Sequence, residues 1–175
     1  ALSGDQVRAF APSQISVIGL DEISSISTAV VNALTSAQIR SLTGSQITLL
    51  NSGQIQSFNT LQIHAFSSAQ VQGLSAEQIS ELLTDQVRAI STAQLGAISQ
   101  AQIQQITTDQ LTSVLSSQLV ALSPIQLQSL SADQLQSLSD EQIAILTTLQ
   151  FTGLDASQVS AFTTQQVSSI QTVDL

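Results

Sequence analysis

The chain has 175 residues and a net charge of −9, although only 9% of its residues are charged. It contains no cysteine, which excludes a disulfide scaffold, and its only basic residues besides one histidine are three arginines, which are too few for a surface that binds nucleic acid. No apolar run approaches the roughly 20 residues of a membrane span, so the sequence predicts no insertion into a membrane.

A pattern of eight residues repeats along the chain without an insertion or a deletion. Each octad begins with a large apolar residue, in a column that runs from Leu2 to Ile170. A second apolar column lies five residues later, from Val7 to Leu175, and a glutamine precedes it in nearly every octad. A fixed period of this kind is typical of a solenoid. It predicts a single continuous domain over residues 1–175, with about 22 repeats and no linkers.

Each octad carries the signals that start a helix. In a representative octad, Ser131 and Gln134 have the spacing of a capping box, and Leu130 and Leu135 that of a hydrophobic staple. Both prolines directly follow a cap position, where the missing N–H has no cost. Acidic residues favour the second helical position, where the helix dipole stabilises negative charge. These residues are Asp5, Asp21, Glu77, Asp85, Asp109, Asp133 and Glu141.

These signals predict an all-α solenoid with one short helix of about six residues in every octad. A single long helix is excluded, because eight residues advance an α-helix by about 800° and the apolar stripe would drift by about 80° per octad. The alternative is a β-solenoid with stacked glutamine ladders. The abundance of Val, Ile and Thr favours it, whereas the missing turn residues and the missing two-residue alternation disfavour it.

Several octads depart from the repeat pattern. Residues 17–33 depart most from the pattern, since Glu22 and Val30 interrupt the glutamine column. Leucine replaces the cap at positions 83 and 115, so we expect Thr84 and Ser116 to cap those helices instead. Four octads carry a large apolar residue at the second helical position, which we interpret either as a lateral contact with a neighbouring molecule or as a tolerated substitution. These residues are Leu61, Ile125, Leu149 and Val173.

The sequence shows no pattern of a catalytic, cofactor or metal site. His64 is the only histidine, and it shares its repeat position with residues such as Arg40. Neither a catalytic triad nor a zinc site is expected from one histidine and no cysteine. The serines have the spacing of caps. We therefore predict that the protein is not an enzyme and uses no cofactor.

The octads resemble L-T-T-A-Q-[IV]-x-A tracts of large bacterial secreted or surface proteins, which are often called adhesin-like. The segments at 34–39, 66–71 and 90–95 carry this resemblance, which extends over the whole chain. It implies display outside the cell and a structural role, with no particular ligand. The chain begins at Ala1 without a visible signal peptide, which we interpret as a processed protein or an excised segment.

The leading functional hypothesis is a structural protein that forms an extracellular filament, fibre or stalk by head-to-tail contact between copies. It rests on the apolar columns, which run to both ends of the chain without the polar capping repeats that solenoids need. The predicted interface comprises Leu2, Val7, Val167, Ile170, Val173 and Leu175. Two alternatives stay open: an ice- or carbohydrate-binding surface made of the paired hydroxyl columns, and an adhesin module that binds another protein.

Overall fold

The computed structural model describes residues 2–170. These residues form 21 α-helices of four to six residues and no strand. The all-α solenoid is thereby confirmed, and the β-solenoid is wrong for this part of the chain. The helices are α1 (Gly4–Arg8), α2 (Pro12–Ile15), α3 (Leu20–Ser25), α4 (Thr28–Ala33), α5 (Ser36–Ser41), α6 (Gly44–Thr48), α7 (Ser52–Gln56), α8 (Thr60–Ala65), α9 (Ser68–Gln72), α10 (Ala76–Ser80), α11 (Thr84–Ala89), α12 (Thr92–Ala97), α13 (Gln100–Gln104), α14 (Thr108–Ser113), α15 (Ser116–Val120), α16 (Pro124–Gln128), α17 (Ala132–Gln136), α18 (Asp140–Ala144), α19 (Thr148–Thr152), α20 (Ala156–Ala161) and α21 (Thr164–Ser169).

The helices begin where the capping boxes predict. At α14 the hydroxyl of Thr107 accepts from the backbone N–H of Gln110 at 3.2 Å, and the Gln110 side-chain oxygen accepts from the backbone N–H of Thr107 at 2.9 Å. The prediction for the two leucine octads is wrong. Leu83 and Leu115 are themselves the N-caps and have no side-chain acceptor, because the following glutamines place Thr84 and Ser116 one residue inside the helix.

Each described helix ends one to three residues before the next residue of the first apolar column. At Leu42, for example, the backbone turns from helical to extended (φ −58°, ψ 132°), and the next residue is already the N-cap of the following helix. No residue from 2 to 170 has a positive φ, so these bends need no glycine. The octad therefore bends the chain once every eight residues with ordinary L-residues.

Three helices make one coil of the solenoid. Helices contact the helix three places further along, as α1 contacts α4 and α9 contacts α12, so that equivalent positions in successive coils are separated by three octads. The stacked helices form three faces. Face A consists of α1, α4, α7, α10, α13, α16 and α19; face B of α2, α5, α8, α11, α14, α17 and α20; and face C of α3, α6, α9, α12, α15, α18 and α21.

Both apolar columns line a continuous core along the stacked coils. Phe58 and Phe66 pack edge to face within it, with ring centroids 5.2 Å apart. Small residues let the first two coils approach closely, since a Cβ added at Gly4 would lie 3.0 Å from the Cβ of Ala33 in the next coil. Two cavities of about 10 and 20 Å³ lie in this core. Their walls are apolar, and neither has room for more than about one water molecule.

The glutamine column joins one coil to the next. From Gln38 to Gln166, every buried glutamine donates its side-chain amide to the carbonyl 28 residues earlier, which closes the helix in the coil below. Most of these glutamines also donate to the carbonyl 31 residues earlier. The Gln110 amide, for example, donates to the carbonyl oxygens of Ile79 at 2.9 Å and Leu82 at 2.6 Å. The same side chain thus caps the start of its own helix and the end of another.

Candidate assembly surfaces

The two ends of the described solenoid expose different chemistry because the second apolar column points toward the following coil. In the first coil Val7 is 1% exposed, since the next coil covers it, and Ile15 and Ile23 are buried in the same way. In the last described coil no residue from 2 to 170 covers this column. Val159 and Val167 are therefore 51% and 53% exposed, and Phe151 is half-buried.

The glutamine side chains point the opposite way, toward the preceding coil. Gln6 and Gln14 are exposed, and their side-chain oxygens accept from the N-cap amides of Ser3 and Ala11. Within residues 2–170 there is no coil below them to accept from their side-chain nitrogens. In the last coil, by contrast, Gln166 is 2% exposed. The N-terminal end consequently offers amide donors, whereas the C-terminal end offers an apolar surface and carbonyl acceptors.

A hollow of about 540 Å³ marks the N-terminal end. Leu2, Gln6, Glu22, Ile26 and Val30 contribute to its lining, which mixes apolar and polar groups. Its place at the end of the coil stack makes it the surface that a further coil would meet. We therefore regard this hollow and the exposed apolar residues of the last coil as the candidate end-to-end site.

The predicted interface residues fall into three groups. Leu2 and Val167 are exposed at opposite ends of the described stack, and Ile170 is half-buried beside Val167. Val7 has to be removed from the predicted interface, because it belongs to the core between the first and second coils. Val173 and Leu175 lie outside the described residues.

The predicted lateral residues do face solvent. Leu61 on α8 is 77% exposed, and Ile125 on α16 and Leu149 on α19 are exposed to a similar degree. Ile125 and Leu149 are three octads apart and therefore adjacent on face A. Leu61 lies on face B, so the structure does not bring the three together.

The histidine and the acidic residues considered for a catalytic or metal site are helix caps or surface side chains. His64 is exposed, with its Nδ1 atom 3.4 Å from the carbonyl oxygen of Ala89 in the next coil. The Ser157 hydroxyl and the Gln158 backbone N–H donate to Asp155 and lower the pKa of this N-cap carboxyl. Hydrogen bonds from its own backbone N–H and from Ser139 likewise lower the pKa of Glu141. Among residues 2–170, no three His, Cys, Asp or Glu residues are grouped as metal ligands would be.

The paired hydroxyl columns do not form one array. The first hydroxyl of each pair is the N-cap acceptor, as at Thr35 and Thr107. The second lies at the first helical position, and the pairs are divided among three faces, with Ser36 on face B, Thr92 on face C and Thr148 on face A. The hydroxyl pairs are therefore distributed over three faces of the described stack, and the ice-binding alternative stays a prediction.

Comparison with known proteins supports a tandem-repeat protein. Residues 50–84 and 116–148 match the ALTTAQ repeat family. A search of curated proteins gave no match. No helix within residues 2–170 is long and apolar enough to span a membrane. The repeat is thus recognised in two separate parts of the chain, whereas the bacterial, adhesin-like and surface assignments remain proposals.

Proposed function

We propose that this chain is a structural repeat protein whose copies join head to tail into an extracellular filament, fibre or stalk. One observation carries the proposal: each end of the coil stack has the groups that the other end lacks. The N-terminal end offers the amide donors of Gln6 and Gln14 and a hollow. The C-terminal end offers uncovered Val159 and Val167 and carbonyls that no glutamine amide of the described residues reaches.

A second copy can use the same contacts that already join the coils of one copy. Stacked in the repeat register, its Gln6 and Gln14 take the places of the next two glutamines in the column. Their amide nitrogens then donate to the C-terminal carbonyls of the copy below, and the second copy covers the exposed apolar column. The contact is heterologous and does not close on itself, so repetition gives an open filament.

The test compares two valines of similar exposure at different places. Val167→Asp puts a charge on the C-terminal end, whereas Val120→Asp puts the same charge on the side of the stack, at α15. We expect the unmodified protein and Val120→Asp to form filaments as concentration rises, seen by sedimentation velocity and negative-stain microscopy. Val167→Asp should stop this growth because a carboxylate would have to be buried between coils. A protein that stays monomeric at every concentration would refute head-to-tail assembly.

The proposed location outside the cell is supported by the likeness of the octads to tracts of secreted and surface proteins. The partner at each end is another copy of the chain, and neither nucleic acid nor membrane lipid is expected to bind, given the net charge of −9. An antibody against the chain should label intact cells as strongly as permeabilised ones. Labelling that requires permeabilisation would contradict this location.

A further inference from the structure

Face B carries a row of basic side chains. Arg40 on α5, His64 on α8 and Arg88 on α11 follow one another at intervals of three octads, so they occupy the same position on three consecutive stacked helices. All three side chains are exposed. Arg8, the remaining arginine, lies on face A and has Asp5 at 4.0 Å. Within residues 2–170, neither Arg40 nor Arg88 has a carboxylate within 4 Å.

The same face carries a row of acidic side chains further along the stack. Asp85 on α11, Asp109 on α14 and Asp133 on α17 are again spaced by three octads, and all three are exposed. They lie one helical turn before the position of the basic row. Stacked helices are about 8–10 Å apart, so each row extends over about 20 Å of the face.

The two rows overlap in one helix, α11, which holds both Asp85 and Arg88. It is the fourth of the seven helices of face B, so three helices lie on either side of it. Toward the N-terminus the face is basic, and toward the C-terminus it is acidic. This distribution makes the face complementary to a reversed copy of itself.

From this arrangement we propose that face B binds a second copy of the chain in an antiparallel dimer. A two-fold axis parallel to α11, lying between the two copies, reverses the order of the coils. Arg40 of one copy then lies level with the partner's Asp133, and Arg88 lies level with the partner's Asp85. His64 lies level with the partner's Asp109, and symmetry doubles every pair. A parallel arrangement would instead place Arg40 level with Arg40, so the charges select the antiparallel one.

Leu61 contributes the apolar part of this surface. It is the most exposed large apolar side chain of face B and lies one turn before His64 on α8. The antiparallel contact covers it. This dimer is independent of the end-to-end contact, because it uses the side of the stack and none of the groups at its ends.

A charge exchange tests the pairing and its direction. Arg40→Asp and Asp133→Arg should each weaken the dimer about tenfold or more, since each replaces two attractive pairs of the dimer by two repulsive ones. The double variant with both substitutions restores opposite charges only in the antiparallel arrangement. We expect its dissociation constant to return to within about threefold of the unmodified value.

Sedimentation equilibrium at an ionic strength of about 0.15 M gives the dissociation constants. All proteins carry Val167→Asp, so that end-to-end contacts do not contribute, and circular dichroism checks that each variant is folded. The control is Gln104→Glu with Gln128→Glu. It changes the net charge by the same −2 as Arg40→Asp, but at exposed sites on face A, and should leave the dimer unchanged.

Three results would overturn the proposal. The first is a protein that stays monomeric at the highest concentration that can be reached. The second is a folded double variant that does not regain dimerisation. The third is a control that weakens the dimer as much as Arg40→Asp does. Filament growth of the unmodified protein, together with no dimerisation of the Val167→Asp protein, would refute face B alone. Dimerisation of the Val167→Asp protein, together with no filament growth of the unmodified protein, would refute the head-to-tail contact alone.

Discussion

Replacing one buried glutamine should destabilise the protein more than the loss of an exposed helix cap would. In Gln110→Met the side chain keeps its length and its place in the core but loses its amide. The N–H of Thr107 and the carbonyl of Leu82 then lose the hydrogen bond that Gln110 gives them, whereas the carbonyl of Ile79 keeps its bond from the backbone N–H of Leu82. The site is 2% exposed, so water does not replace the lost bonds. The helix caps of two successive coils fail together.

The magnitude follows from the two groups that are left without a partner, the N–H of Thr107 and the carbonyl of Leu82. Each such group costs about 1–3 kcal/mol, and the buried methionine side chain regains about 1 kcal/mol. We therefore expect Gln110→Met to lower the free energy of unfolding by about 1–5 kcal/mol. Since whole domains are stable by about 5–15 kcal/mol, the shift should be visible as a large drop in the midpoint of urea unfolding, followed by circular dichroism.

Gln14→Met is the matched control. Gln14 occupies the same octad position and accepts from the backbone N–H of Ala11 at 2.8 Å, but it is exposed and no coil lies below it among residues 2–170. Its replacement should cost about 1 kcal/mol or less, as for a lost exposed cap. The amide of Thr107 should also exchange with solvent faster in Gln110→Met. Equal losses in the two variants would refute the inter-coil role of the column.

Two further predictions concern the helix caps. Leu83→Ser and Leu115→Ser should each raise the free energy of unfolding by about 1 kcal/mol, because both positions are N-caps that lack a side-chain acceptor and both leucines are already exposed; unchanged urea midpoints would contradict this. The pKa of Asp155 is lowered in the folded protein, so its ionised carboxyl stabilises the fold at pH values above the ordinary aspartate pKa of about 4. This contribution is lost as the pH falls through the lower pKa of the folded state. Asp155→Asn keeps a capping oxygen and should therefore lose less stability between pH 5 and pH 2 than the unmodified protein does, measured by thermal unfolding. Identical losses in the two proteins would contradict a stabilising role of the Asp155 charge.

The local structure could be predicted from the octad because its signals act within a few residues. A capping box spans four residues and a hydrophobic staple six, so Ser131 and Gln134 define the start of α17 without knowledge of the coil. Prolines 12 and 124 lie at the first helical position as expected. The prediction for Thr84 and Ser116 was wrong because a glutamine three residues after the bend fixes the cap position even where the cap residue is leucine.

The coil could not be predicted in the same way. Three octads make one coil because of the angle at each bend, and that angle depends on packing between residues three octads apart. The hydrogen bonds by which the glutamine column joins successive coils follow only from this geometry. One signal in the sequence did point to it: glutamate completes a capping box as well as glutamine does, yet the column uses glutamine, which also has N–H donors. Glu22, the one glutamate in the described column, is exposed in the first coil.

The direction of the solenoid decides which way two copies can join at their ends. A tail-to-tail contact between two C-terminal ends would also cover Val159 and Val167, and it would close into a dimer. However, it places the backbone carbonyls of Leu154 and Phe162 opposite the same carbonyls of the second copy. Carbonyl oxygens are acceptors only, so they cannot form hydrogen bonds with each other. A head-to-tail contact covers the same valines and supplies the amide donors of Gln6 and Gln14 to those carbonyls. The heterologous arrangement, which does not close, is therefore the one that pairs both the apolar and the polar groups.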